Sequence, residues 1–74
     1  MTDESRFYDK TAVDSSLIEA FSWHSGILVI YFHGNSVYAY SNVPIEVADA
    51  LNSAESKGRY FINNIRDRYP LTRI

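Results

Sequence analysis

No cysteine occurs among the 74 residues, so neither disulfides nor thiolate metal ligands can brace this chain. Proline occurs twice and glycine three times, too sparse for a linker or a low-complexity tract. No apolar run exceeds the six residues Ile27–Phe32, far short of the roughly 18 to 20 that cross a bilayer. The opening MTDESRFYDK lacks the basic stretch and apolar segment of a secretory signal. These absences predict a cytoplasmic protein, off the membrane, built as one domain. Basic charge is scarce as well. Seven Lys and Arg stand against nine Asp and Glu, a net charge of −2, which argues against a binder that coats nucleic acid with its whole surface.

What is present is apolar and aromatic: 46% hydrophobic residues and 15% aromatic ones. Large rings bury much area per residue, which is what a core near the lower size limit for unaided folding requires. The charge is also unevenly placed. Residues 1–56 hold Arg6 and Lys10 against eight acids, giving −6. Residues 57–74 hold Lys57, Arg59, Arg66, Arg68 and Arg73 against Asp67, giving +4.

Along the chain, residues 1–12 are polar and charged and predict a flexible N-terminal arm, followed by a single domain over 13–74. Leu17–Trp23, Ile27–Phe32 and Val37–Tyr40 are rich in β-branched and aromatic residues and predict three strands. The clusters between them, His24-Ser25-Gly26 and His33-Gly34-Asn35-Ser36, are short enough to force an antiparallel meander. Pro44 is suited to the first position of a helix, with Val47, Ala48, Leu51 and Ala54 as its apolar stripe. A break at 52–56 precedes a second helix, whose face Gly58, Phe61, Ile62, Ile65 and Tyr69 runs up to Pro70. The predicted class is α+β: a three-stranded antiparallel meander followed by two C-terminal helices.

Val37-Tyr38-Ala39-Tyr40, Val43-Pro44 and Ser56-Lys57-Gly58-Arg59-Tyr60-Phe61, in that order, resemble the KTSC domain, over roughly residues 13–69. That family takes its name from the C terminus of some lysyl-tRNA synthetases and also forms small stand-alone proteins. The resemblance implies RNA contact, a bacterial or phage setting, and no catalytic residue to carry over. The family pattern continues through an asparagine and further polar or basic residues. Here Ile62 occupies the asparagine position and Asn63 and Asn64 follow, leaving this helix less basic.

Two readings of Ser56-Lys57-Gly58 stand. Ser56 can cap the second helix while free amides, the helix dipole and Lys57 receive an anion, with Gly58 permitting close approach and Arg59, Tyr60, Asn63, Arg66 and Arg68 extending the site. Alternatively Ser56 is only a cap and Gly58 only a place of tight packing. Tyr38 and Tyr40 share one face of their strand and serve either as core or as stacking platforms for bases; the helices are expected to cover them. The opposite face carries Ile27, Val29, Tyr31 and Val37. A sheet face left wet ought to be polar, so this one predicts self-association through the sheet, or else an arm folded over it with Phe7 and Tyr8. His24 and His33 sit at opposite ends of one strand, a poor arrangement for a metal. No spacing of Asp14, Ser15, Ser16 or the histidines requires hydrolase chemistry.

Three functions follow from these readings, none catalytic and none needing a cofactor: an RNA-contacting module; a homo-oligomeric binder of a small phosphorylated nucleotide, of use for instance to a phage; and a protein-interaction module docking through its apolar sheet face.

Overall fold

The computed structural model describes residues 7–74. Two tight turns organise its sheet. At Ser25-Gly26 and at Gly34-Asn35 both residues have positive φ (51° and 87°, 92° and 71°), the backbone twist that joins adjacent antiparallel strands closely. They link β2 (Ile18–His24), β3 (Ile27–Phe32) and β4 (Val37–Tyr40), the three strands expected from the sequence.

The sheet is wider than expected. β1 (Phe7–Ala12) pairs antiparallel with β2, and β5 (Leu71–Arg73) pairs antiparallel with β4, giving the order β1-β2-β3-β4-β5. The three-stranded expectation is therefore corrected to five. Residues 7–12, assigned by sequence to a flexible arm, are a strand; residues 1–6 lie outside those described. The pairing of β1 shifts register between Tyr8 and Thr11, and such a bulge erases the two-residue alternation by which a strand is recognised.

Helix α1 (Ile45–Ser53) and helix α2 (Lys57–Asn64) lie between β4 and β5. Pro44 is the N-cap of α1, one position earlier than expected, and its carbonyl accepts from the Val47 amide. The connection before it is pinned twice: Trp23 Nε1 donates to the Val43 carbonyl at 2.8 Å, and the Val43 amide donates to Gly26 O at 2.9 Å. α2 stops at Asn64, short of Pro70, where Ile65 leaves helical geometry (φ −123°). The chain then turns, and the Ser41 amide donates to Pro70 O, tying β5 to the start of the helical segment.

Register determines the two faces. Phe21 opposes Ile30, Trp23 opposes Leu28, and these in turn oppose Tyr38 and Tyr40. That face meets Ala48 and Leu51 of α1, Phe61 of α2, and Ile65 beyond it, all buried. Rings stack edge-on across it: Phe32 to Phe61 at 5.3 Å and Tyr40 to Phe61 at 5.7 Å, a favoured aromatic geometry. The helices thus cover the face bearing Tyr38 and Tyr40, as expected. Ile62 does not join the buried stripe of α2; it is 42% exposed.

The far face carries Ile27, Val29, Tyr31, Val37 and Ala39 by the same register. Ile27 is 40% exposed. The described part of the N-terminal segment runs along the edge of the sheet as β1 and is not folded across this face. Phe7 extends this face beside His24 (5.9 Å between rings) and Lys10 sits over the Tyr31 ring at 4.4 Å, whereas Tyr8 passes to the helical side, meeting Phe21 and donating its hydroxyl to Asp49 Oδ1.

Candidate functional site

Three hollows surround α2, and the residues singled out by sequence are distributed among them. The first, about 450 Å³, lies at the start of the helix between Asp14–Leu17 and residues 55–59. Ser56 is the cap, as expected: its Oγ accepts from the Arg59 amide at 3.3 Å. The rest of the expected anion cradle is not assembled. Lys57 Nζ donates to the Ala54 carbonyl at 2.8 Å, so its charge serves the end of α1. A Cβ on Gly58 would stand 3.4 Å from Leu17 Cβ and from Ser15 Oγ, so this glycine accommodates the 15–17 segment. Ser15 Oγ also accepts from the Leu17 and Ile18 amides. Asp14 and Glu55 line the hollow beside Lys57 and Arg59, and carboxylates oppose an anion there.

The second hollow, about 320 Å³, lies on the outer flank of α2. Ser56, Arg59, Tyr60, Asn63 and Asn64 line it together with Ala54 and Glu55. It gathers four residues predicted to contact a ligand: Ser56, Arg59, Tyr60 and Asn63. Among the described residues, Arg59 and Arg68 form no ion pair. Asn64 donates to the Tyr60 carbonyl at 3.2 Å.

The third hollow, about 500 Å³, opens between α2 and the β4–β5 side of the sheet. Leu17, Phe32, Ser36, Tyr38, Tyr40, Phe61, Ile62, Arg66, Asp67 and Leu71 line it. Arg66 lies here, apart from Arg59, with its Nε 3.7 Å from Asp67 Oδ2; both side chains are more than half exposed, so water screens the pair. Burial pushes the Tyr40 phenol above its ordinary range, with Tyr38 adding to the effect and Arg66 opposing it. Sequence reasoning placed Tyr38 and Tyr40 in the core and missed that their side of the sheet also has an opening. The available signal was the two-residue spacing of the tyrosines together with Arg66, which lies just past the end of α2.

The histidines are separated as expected. His33 Nε2 is 2.8 Å from Ser15 O and its Nδ1 is 4.0 Å from Glu19, while His24 packs on Phe7. Among the described residues, no three His, Asp or Glu are grouped to hold a metal, and no helix is long and apolar enough to cross a membrane.

Residues 14–69 match the family model of the KTSC domain, nearly the span expected from the motifs. A Tsukamurella paurometabola protein, named only as "Protein", is 41% identical over 59 residues, covering 77% of this chain and 88% of its own. A crystal structure of a KTSC domain protein from Yersinia pestis superposes with a TM-score of 0.85 at 29% identity, over 89% of this chain and 96% of that one.

Proposed function

The chain belongs to the KTSC domain family, and from that premise we propose that it is a cytoplasmic binding module, without catalysis of its own, that contacts RNA phosphates through the outer flank of α2. The observation that carries this reading is the gathering of Ser56, Arg59, Tyr60 and Asn63 around one hollow, with Arg59 unpaired among the described residues. Glu55 lines the same hollow but forms no ion pair with Arg59 among the described residues, so the guanidinium keeps its fork of donors for a phosphate. Tyr60 offers a ring face beside it on which a base can stack. Arg68 lies exposed on the turn after the helix. Lys57 and Gly58 have no part in this site, being spent on internal contacts.

Titration of short single-stranded RNA at several salt concentrations tests the reading. Affinity is expected to fall log-linearly with salt, and Arg59→Ala should lower that slope by about 0.7 by removing one phosphate contact. Absence of binding at low salt, or a slope indifferent to Arg59→Ala, defeats it.

A second reading rests on a separate observation. Phe7 (52% exposed) and Ile27 (40%) share the side of the sheet away from the helices with Val29, Tyr31 and Val37. That face is largely apolar, with Lys10 lying against Tyr31. A second copy of the chain matches it in both shape and charge, and two-fold stacking would bury the same patch on each partner.

A further inference from the structure

Tyr40 is the largest of the fully buried side chains, 1% exposed, yet no hydrogen bond engages its hydroxyl among the described residues. Among the described residues, no side-chain polar atom lies fully buried without a partner. Tyr40 Oη therefore keeps some exposure, and the groups that act on its phenol, Tyr38, Arg66 and Asp67, line the 500 Å³ hollow together with Tyr40. A buried phenol ordinarily finds a partner for its O–H. Here the ring is held by Phe61 and the core, and the hydroxyl is left facing an open space.

The same space collects complementary groups. Its walls are the rings of Phe32, Tyr38, Tyr40 and Phe61 with aliphatic side chains beside them, and its polar groups are the hydroxyls of Ser36, Tyr38 and Tyr40, the guanidinium of Arg66 and the carboxylate of Asp67, whose exposed pairing with Arg66 is screened by water. Its volume lies within the range of small-ligand pockets. An aliphatic occupant would leave Tyr40 Oη unpaired, and a free sugar has no aromatic face to stack on the rings. A planar heterocycle satisfies both demands, offering faces to the rings and an acceptor edge to the hydroxyls. Arg66, half-exposed at the opening, then meets an anionic substituent.

We propose that the hollow between α2 and β4–β5 binds a nucleobase carried on a phosphorylated ribose, its edge hydrogen-bonded by Tyr40 and its phosphate facing Arg66. This site stands apart from the Arg59 flank and does not depend on it. Burial favours the protonated phenol, so Tyr40 acts as the donor and the ring presents an acceptor. A free mononucleotide and an unstacked base of single-stranded RNA share this chemistry.

Chemical-shift perturbation with adenosine and cytidine monophosphates, ribose 5-phosphate and a short oligoadenylate tests the assignment. A nucleotide, the oligonucleotide or both are expected to shift Tyr38, Tyr40, Phe61 and Arg66, while ribose 5-phosphate does not. Tyr40→Phe, which removes one oxygen and no internal hydrogen bond, should weaken binding about tenfold. Response to mononucleotides identifies a free nucleotide as the source; response to the oligonucleotide alone identifies an RNA base. Binding that Tyr40→Phe leaves untouched, or no shifts at these residues with any base-bearing probe, overturns the assignment. Mononucleotide and oligonucleotide binding both indifferent to Tyr40→Phe, with RNA binding lost in Arg59→Ala, overturns it while sparing the reading of the α2 flank; binding lost in Tyr40→Phe but indifferent to Arg59→Ala does the opposite.

Discussion

Gly58 shows how one residue can carry two opposite meanings in a sequence. A glycine beside a cap and a lysine suits an anion cradle, but it equally suits a helix pressed against a neighbouring segment, and the 3.4 Å approach of Leu17 and Ser15 decides for packing. Gly58→Ala should be nearly neutral, the new methyl at a bare van der Waals contact offset by better helix propensity. Gly58→Leu should cost about 1–3 kcal/mol by overpacking, read from thermal or urea unfolding. Tyr40 gives a prediction in pH. Its phenol ionises near 10.0 when unfolded and higher in the fold, so the native state favours the proton. The corresponding stability is intact below about pH 10 and is lost as pH climbs through the raised value. Melting temperatures measured from pH 8 to 12 should decline more steeply for the wild type than for Tyr40→Phe. The burial of Tyr40 was legible from strand spacing; its unanswered hydroxyl was not, because that depends on what the last helix leaves uncovered.

Among the elements, those with strong local signals were legible: three strands joined by turns whose residues accept positive φ, and two helices with apolar stripes and a serine cap. Ser56→Ala should cost about 1 kcal/mol and loosen an eight-residue helix, visible as faster hydrogen exchange at the Arg59 amide. The two outer strands were illegible for different reasons. β1 shows no two-residue alternation, since Phe7 and Tyr8 are both aromatic before its bulge, and its Asp9-Lys10-Thr11 centre reads as solvent-exposed chain. β5 has three residues, too few to display any period, and it follows a proline that reads as a terminus. Its pairing depends on where the helices deliver the chain, a property no local window contains.

At the scale of the whole molecule, the site was half legible. The basic bias of residues 57–74 directed attention to α2, but charge counting cannot tell which cations are committed. Lys57 is turned toward α1, Arg66 stands over the aromatic hollow, and Arg59 faces another flank. The far face of the sheet gives a further test. Sedimentation at millimolar concentration is expected to show a dimer, and Ile27→Lys should return it to monomer with little change in melting temperature, since that side chain is already 40% exposed. A wild-type monomer under those conditions removes the second reading.

The placement of both helices between β4 and β5 has a kinetic consequence. Strands β1 to β4 each meet the next in the chain across a short connection, contacts that close quickly and at small entropic cost. β5 must wait for some thirty intervening residues, from Tyr40 to Leu71, to fold and deliver it. Until then the outer margin of β4 stays open to any extended peptide nearby. In pulse-labelled refolding, the Ser41 and Ile74 amides, which bond to Pro70 O and Val37 O, should gain protection last, after those of β2 and β3.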